Sequence, residues 1–423
     1  MKKIICLLLA ALMIMSCFVG CGGGNDGELT AEEQEILEQR RTIVEQNARW
    51  QASFRWTPAE DFKYCIGSSQ GVENDSLANP EDVVTFRKGV IYEGIPYTSG
   101  VGSGYSFTET AIGETEDGVM ILNLKTEYLS GANGQRRHNV ARMGNNCADY
   151  IFWAWGMVDT TIKYKDTPDM TPLNGCVLVG DYELHNTTML ANTPFVVQSN
   201  GQQKMFRAYA QLQKADGVVH INAKGAGHAM MIVRNSTHYR DDGSIDGAKS
   251  YVTVLEQNSG CERYQQSSYI DPVTGQTIVR MQDLDVVFTY DRLAQLGYLP
   301  ITCKALVDPS PIPDATVTDS LTAEEIGIEN LYGGAFTSPY RISHVTITIS
   351  DKDGNQVQKS TMYGLGAEMY TILLPRFEHI EEQVVLNGKL DIDALASGEY
   401  TATYTVKLAT GDDIVARSFT FTK

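Results

Sequence analysis

The chain has 423 residues, of which 43% are hydrophobic and 20% charged, the balance of an ordinary globular protein with room for two or three domains and ample material for a core. Its formal charge is −18, or −20 (−18 − 2) once Lys2 and Lys3 leave with an export signal. So acidic a surface argues against nucleic acid as a partner and against electrostatic adhesion to anionic lipid or polymer.

Met1-Lys2-Lys3 and the apolar run Ile4–Val19 have the layout of a secretory signal, and the run is too short for a membrane span, which needs about 20 apolar residues. It ends in Gly20-Cys21 followed by three glycines. A small residue before cysteine resembles a bacterial lipobox. That resemblance implies that Cys21 becomes the first mature residue and carries lipid, with Cys17 a weaker competing site. The glycines form a flexible tether. The expectation is a protein on the extracellular face of a bacterial membrane, held by its lipid. Eight cysteines are present, and Cys6, Cys17 and Cys21 fall in the export segment. Cys65, Cys147, Cys176, Cys261 and Cys303 are widely spaced, with no metal-like pairing. An odd number leaves at least one thiol free or intermolecular, and the sequence does not assign pairs.

Thr30-Ala31-Glu32-Glu33 reads as a capping box. Ile36, Leu37, Ile43, Val44, Trp50 and Phe54 then recur at helical spacing, which predicts an amphipathic helix over Leu29–Arg55, packed on the main domain. Residues 60–306 read as mixed α and β. The run Asp308-Pro309-Ser310-Pro311-Ile312-Pro313 reads as a stiff linker, assigned to 307–320. Residues 321–423 read as all-β: His344–Ser350 alternates, Asp353-Gly354 marks a hairpin, and two strands near 400–408 and 414–421 turn at Gly411. This predicts an antiparallel Ig-like sandwich.

Candidate chemistry lies in three segments. In Asn145-Asn146-Cys147 either asparagine can cap a largely buried helix that starts at Cys147. A cysteine there has its thiolate favoured by the helix dipole, and backbone N–H groups can hold an oxyanion. Gly225-Ala226-Gly227-His228 opens an apolar strand and supplies a candidate base, with glycines that would admit a substrate backbone. In Tyr251–Asn258, the period of two places Glu256 and Asn258 on one otherwise apolar strand face. Joined to the histidine strand as an antiparallel hairpin, either residue can orient the ring, the third role of a triad.

The order of cysteine helix, histidine strand and Glu-x-Asn strand resembles that of papain-fold bacterial cell-wall hydrolases. Gly94-Ile95-Pro96-Tyr97 looks like the Gly-x-Pro-Tyr entry of NlpC-type peptidases. Leu212-Gln213-Lys214-Ala215-Asp216-Gly217-Val218-Val219 is similar to their Leu-x-x-Gly-Asp-x-Val stretch, and Val252–Asn258 looks more like the CHAP amidases. The likeness covers residues 85–262 through short motifs. It departs from the pattern at Asn146, where aspartate is usual, and at Ala148-Asp149, where Ser-Gly is usual. The spacings from Tyr97 to Cys147 and from Cys147 to His228 are also long, so an insertion lies before the cysteine.

The resemblance implies an α+β, papain-like (NlpC/CHAP-type) domain with an antiparallel sheet, followed by the Ig-like sandwich. The parts are a signal and lipobox (1–21), tether and helix (22–59), hydrolase domain (60–306), linker (307–320) and sandwich (321–423). It implies a cysteine peptidase or amidase acting on peptidoglycan or another peptide. Cys147, His228, Glu256 and Asn258 are the expected catalytic residues, and Tyr97 and Asn146 serve the oxyanion or substrate. No metal or other cofactor is needed. An acyl or amide transferase of the same fold and a non-catalytic surface scaffold are the alternatives. The glycine-rich 100–104 lacks the lysine of a phosphate loop, and the Asp-Gly turns at 241–243 and 351–354 lack a calcium loop's final glutamate. His138, His185, His220 and His238 show no metal spacing. The four tryptophans are expected to pack.

Overall fold

The computed structural model describes residues 29–65, 70–71, 83–98, 102–124, 127–130, 135–138, 144–163, 166–258, 267–364, 371–374, 384–388 and 390–423. The export segment with Cys6, Cys17 and Cys21, and Cys261, lie outside them. The protein is mixed α and β with more strand than helix, and several of its sheets are antiparallel. No helix among the described residues is long and apolar enough to cross a membrane.

The N-terminal helix spans Ala31–Ser53 and opens with the capping box: Thr30 Oγ1 accepts from the Glu33 amide, and the Glu33 carboxylate accepts from the Thr30 amide. Its buried stripe is Leu37, Val44, Ala48 and Ala52, together with Arg40, Arg41, Asn47 and Gln51. Two arginines on a buried face are possible only because each is fully engaged. Arg41 pairs with Asp216 at 2.7 Å and donates to the Lys214 and Leu306 carbonyls. Arg40 donates to the carbonyls of Ala305, Asp308 and Ser310, so the proline-rich 308–310 stretch is held against the helix at its first residues. Ile43, expected on the buried stripe, is exposed, because the stripe is shared with those polar groups.

The largest core surrounds a six-stranded, wholly antiparallel sheet. Its strands run, edge to edge, Cys176–Leu178, Leu299–Cys303, Gly217–Ile221, Gly227–Ser236, Tyr251–Glu256 and Asp283–Thr289. Packed on it is the helix Cys147–Trp155, every residue of which is buried. A helix that is apolar on all sides needs cover on all sides. The sheet supplies one, through Trp155 Nε1 donating to the Ala215 carbonyl at 2.7 Å. The N-terminal helix supplies another, through Tyr150 Oη donating to the Ala48 carbonyl at 2.8 Å. A third comes from the C-terminal third of the chain, where Arg341 lies over the Phe152 ring and Ala409 packs on Trp153.

A second six-stranded sheet, of mixed direction, includes Arg55–Pro58 and Ile91–Glu93, and there Trp56 stacks on Tyr92 and meets Phe86 and Phe107 edge to face. The C-terminal strands Ile342–Asp351, Gln356–Gly364, Glu399–Leu408 and Asp413–Thr422 belong to a seven-stranded sheet. Its core is shared with Phe336 and Ile372 of a three-stranded sheet. The turns at 351–355 and 411–413 follow the Asp-Gly and glycine signals, with Gly354 and Gly411 at positive φ. The last two strands of the seven-stranded sheet come from elsewhere in the chain. Glu127–Ser130 pairs with Val384–Asn387, and Gln135–His138 pairs with Glu127–Ser130. The segment between Tyr97 and Cys147 thus contributes two strands to the C-terminal sheet.

Candidate active site

Cys147 is the first residue of its helix, and Asn146 is the cap. Asn146 Oδ1 accepts from the amides of Ala148 and Asp149, both at 2.9 Å, which leaves the Cys147 N–H out of the cap. Such first-turn donors have no intrahelical acceptor and face whatever approaches the thiol. Asn145, the other candidate cap, instead makes the loop rigid. Its Nδ2 donates to Gln51 at 3.1 Å, and its Oδ1 accepts from Gln257 at 3.1 Å. Its backbone bonds Pro96 and Thr98, forming a parallel bridge with Tyr97. Gly144 is required here, since a Cβ would overlap the Pro96 carbonyl oxygen. Tyr97 is thereby joined through its backbone to the loop that delivers the cysteine.

His228 and Glu256 come from neighbouring antiparallel strands. Met230 lies opposite Glu256, so continuing the register would put His228 opposite Asn258. The glutamate strand ends at Glu256, however, and Asn258 donates its Nδ2 to Asp283 at 3.0 Å. Glu256 instead reaches diagonally, and its Oε2 lies 2.7 Å from His228 Nε2. Diagonal neighbours on one sheet face are within reach of long side chains. Cys147 lies near enough to the same ring to act on its charge. Burial opposes charge on that ring, but the hydrogen bonds and attraction from Cys147 and Glu256 outweigh it and push His228 up to about 10. The ring holds its proton at neutral pH.

The glycines before His228 have structural work. Gly225 takes a φ of 84° in the Asn222–Ala226 turn, and a Cβ on Gly227 would overlap Thr167. Ala215, where the resembling motif carries glycine, adopts a left-handed φ of 69° while its carbonyl receives Trp155. Asp216 of that motif is the buried partner of Arg41.

Three residues escaped the sequence reading. Gln257 is fully buried and donates to the Ile95 carbonyl at 2.9 Å as well as to Asn145, which ties the end of the glutamate strand to the cysteine loop. Gln51 continues that chain of amides to Asn47 and Tyr105. The Tyr298 hydroxyl is pushed up by burial and then by the charges of Glu256 and Cys147. Polar residues in a helix face or next to a strand end carry no periodicity that marks them. His220, which has no metal spacing in the sequence, sits directly opposite His228, and burial followed by the His228 charge pushes it down. Among the described residues, no group of three or more His, Cys, Asp or Glu is arranged to hold a metal. The tryptophans pack: Trp56, Trp153 and Trp155 are buried, and Trp50 stacks on Tyr105.

No protein-family model matches this chain, and no curated protein matches it.

Proposed function

We propose that the protein is a cell-surface cysteine hydrolase that cleaves amide bonds in peptidoglycan stem or cross-bridge peptides. The observation that carries this reading is one imidazole held by Glu256 at 2.7 Å, with the thiol of Cys147, first residue of a capped helix, near enough to act on its charge. That arrangement supplies a nucleophile, a base and an orienting group in one site. A helix packed on an all-antiparallel sheet that bears the base is compatible with a papain-like domain. The two-layer C-terminal core is compatible with an Ig-like sandwich that binds or spaces. The lipobox-like Gly20-Cys21 supports a lipid anchor outside the cell.

In the proposed mechanism the reacting species is the Cys147 thiolate beside protonated His228. The Cys147 thiolate attacks the amide carbonyl, and the Cys147 N–H donates to the oxyanion. His228 then gives its proton to the leaving amine. Water, deprotonated by the same ring, hydrolyses the thioester and frees the thiolate. Glu256 fixes the ring and its charge. Asn258 is left out of this scheme because Asp283 holds its amide, and Tyr97 adjoins the cysteine loop.

A transferase of the same chemistry differs only in the second step, where an amine replaces water. The test is to label the ectodomain with a thiol-reactive probe at neutral pH and then to supply peptide substrate with and without an amine acceptor. The reading predicts selective labelling of Cys147 and a free-acid product that the acceptor does not displace. An amide product would make the protein a transferase. An inert Cys147 would favour a scaffold.

A further inference from the structure

The short edge strand Cys176–Leu178 pairs antiparallel with Leu299–Cys303, and Cys176 lies directly opposite Cys303. The ladder tells which kind of pair this is. The Val179 N–H donates to the Pro300 carbonyl at 3.0 Å, so Val179 and Pro300 form a hydrogen-bonded pair in the same register. Pair types alternate along an antiparallel ladder, and the cysteines lie three steps away, at a non-hydrogen-bonded position. There facing Cα atoms are about 4.5 Å apart and the side chains lean together. A disulfide accepts Cα separations of about 4.4–6.8 Å. Both side chains are buried in one core and both thiols are free.

We propose that Cys176 and Cys303 are a disulfide site, oxidised as the exported chain folds. Two thiols and one disulfide of the oxidant, either a thiol–disulfide oxidase of the cell envelope or a small-molecule disulfide, give the protein disulfide and two oxidant thiols. Two electrons and two protons pass to the oxidant. The timing follows from burial. Burial, with the Asp159 carboxylate nearby, pushes both thiols up, so the folded sheet suppresses the thiolates that exchange requires. The bond therefore forms before the edge strand closes over its neighbour. It joins the sheet's outer strand to the strand beside it and closes a loop that contains both His228 and Glu256. It also spares Cys147, which must remain a thiol for the chemistry proposed above.

The test is to refold the chain from residue 22 onward in a buffer of oxidised and reduced glutathione, and in parallel under reductant. Folded material is isolated by size. It is then unfolded in acid, alkylated without reductant, digested and analysed by mass spectrometry. The proposal predicts that the oxidised sample contains a peptide pair joined through Cys176 and Cys303, with Cys147 alkylated, and that the reduced sample contains all three alkylated. Alkylation of Cys176 and Cys303 in the oxidised sample would overturn it. So would either cysteine joined to Cys65, Cys147 or Cys261, or a failure of the oxidised chain to fold.

Discussion

At the scale of single residues, the charge on His228 is what Glu256 and Cys147 jointly create. A folded-state value near 10 against about 6.5 for a free imidazole has a definite consequence for pH. The stabilisation it brings is fully present below about 6.5 and is lost as pH rises through 10. On the proposed mechanism the alkaline limb of kcat/KM reports the same proton, which the leaving amine needs. Glu256→Gln keeps a side chain of the same size but removes the carboxylate charge. We expect that limb to move toward lower pH and kcat to fall by roughly 10²-fold. A pH–rate profile of parent and variant checks this, and an unmoved limb would mean that Glu256 does not hold the imidazolium.

At the scale of elements, the N-terminal helix belongs to the core that holds the cysteine helix. Arg41 and Asp216 are almost wholly buried and 2.7 Å apart, so Arg41→Ala strands a carboxylate in the core. Removing one partner of such a pair costs about 3–5 kcal/mol. Arg49 makes its bonds to Glu45 and Asp285 at the surface, and Arg49→Ala should cost about 0–1 kcal/mol. Urea denaturation of both variants measures the difference. Equal effects would show that the buried pair is not what anchors the helix. Much of the layout was legible in the sequence. The Thr30–Glu33 box, the cysteine after a capping asparagine and the alternating strand before Glu256 are local patterns, and each element formed where its pattern stands. What was not legible depends on neighbours that are remote in sequence. The burial of Arg40 and Arg41 depends on carbonyls more than 170 residues away. The choice of Glu256 over Asn258 depends on where the strand stops and on Asp283. Parity along the strand made the two equivalent.

At the scale of the whole molecule, the C-terminal third is built into the rest. Strands 127–130 and 135–138 complete its sheet, and Ser103 bonds Ser343 at 2.7 Å in a buried contact. Glu109 pairs with Lys359 at 2.6 Å beside buried His344. The cysteine helix takes cover from Arg341 and Ala409. A break near residue 306 would expose Phe152 and Trp153 and leave a bare sheet edge, which invites aggregation. Calorimetry of the intact ectodomain should therefore show one cooperative transition, and two resolved transitions would show that the parts fold independently. The same coupling ties the thiol's position to the fold of the whole chain.

Everything proposed for the site turns on Cys147 as a nucleophile that cuts cell-wall peptide. The most direct test incubates the soluble ectodomain and its Cys147→Ala variant with purified peptidoglycan and follows the released peptides by mass spectrometry. New fragments are expected from the parent alone, with masses that identify the severed amide bond. Fragments from both proteins, or from neither, would contradict it.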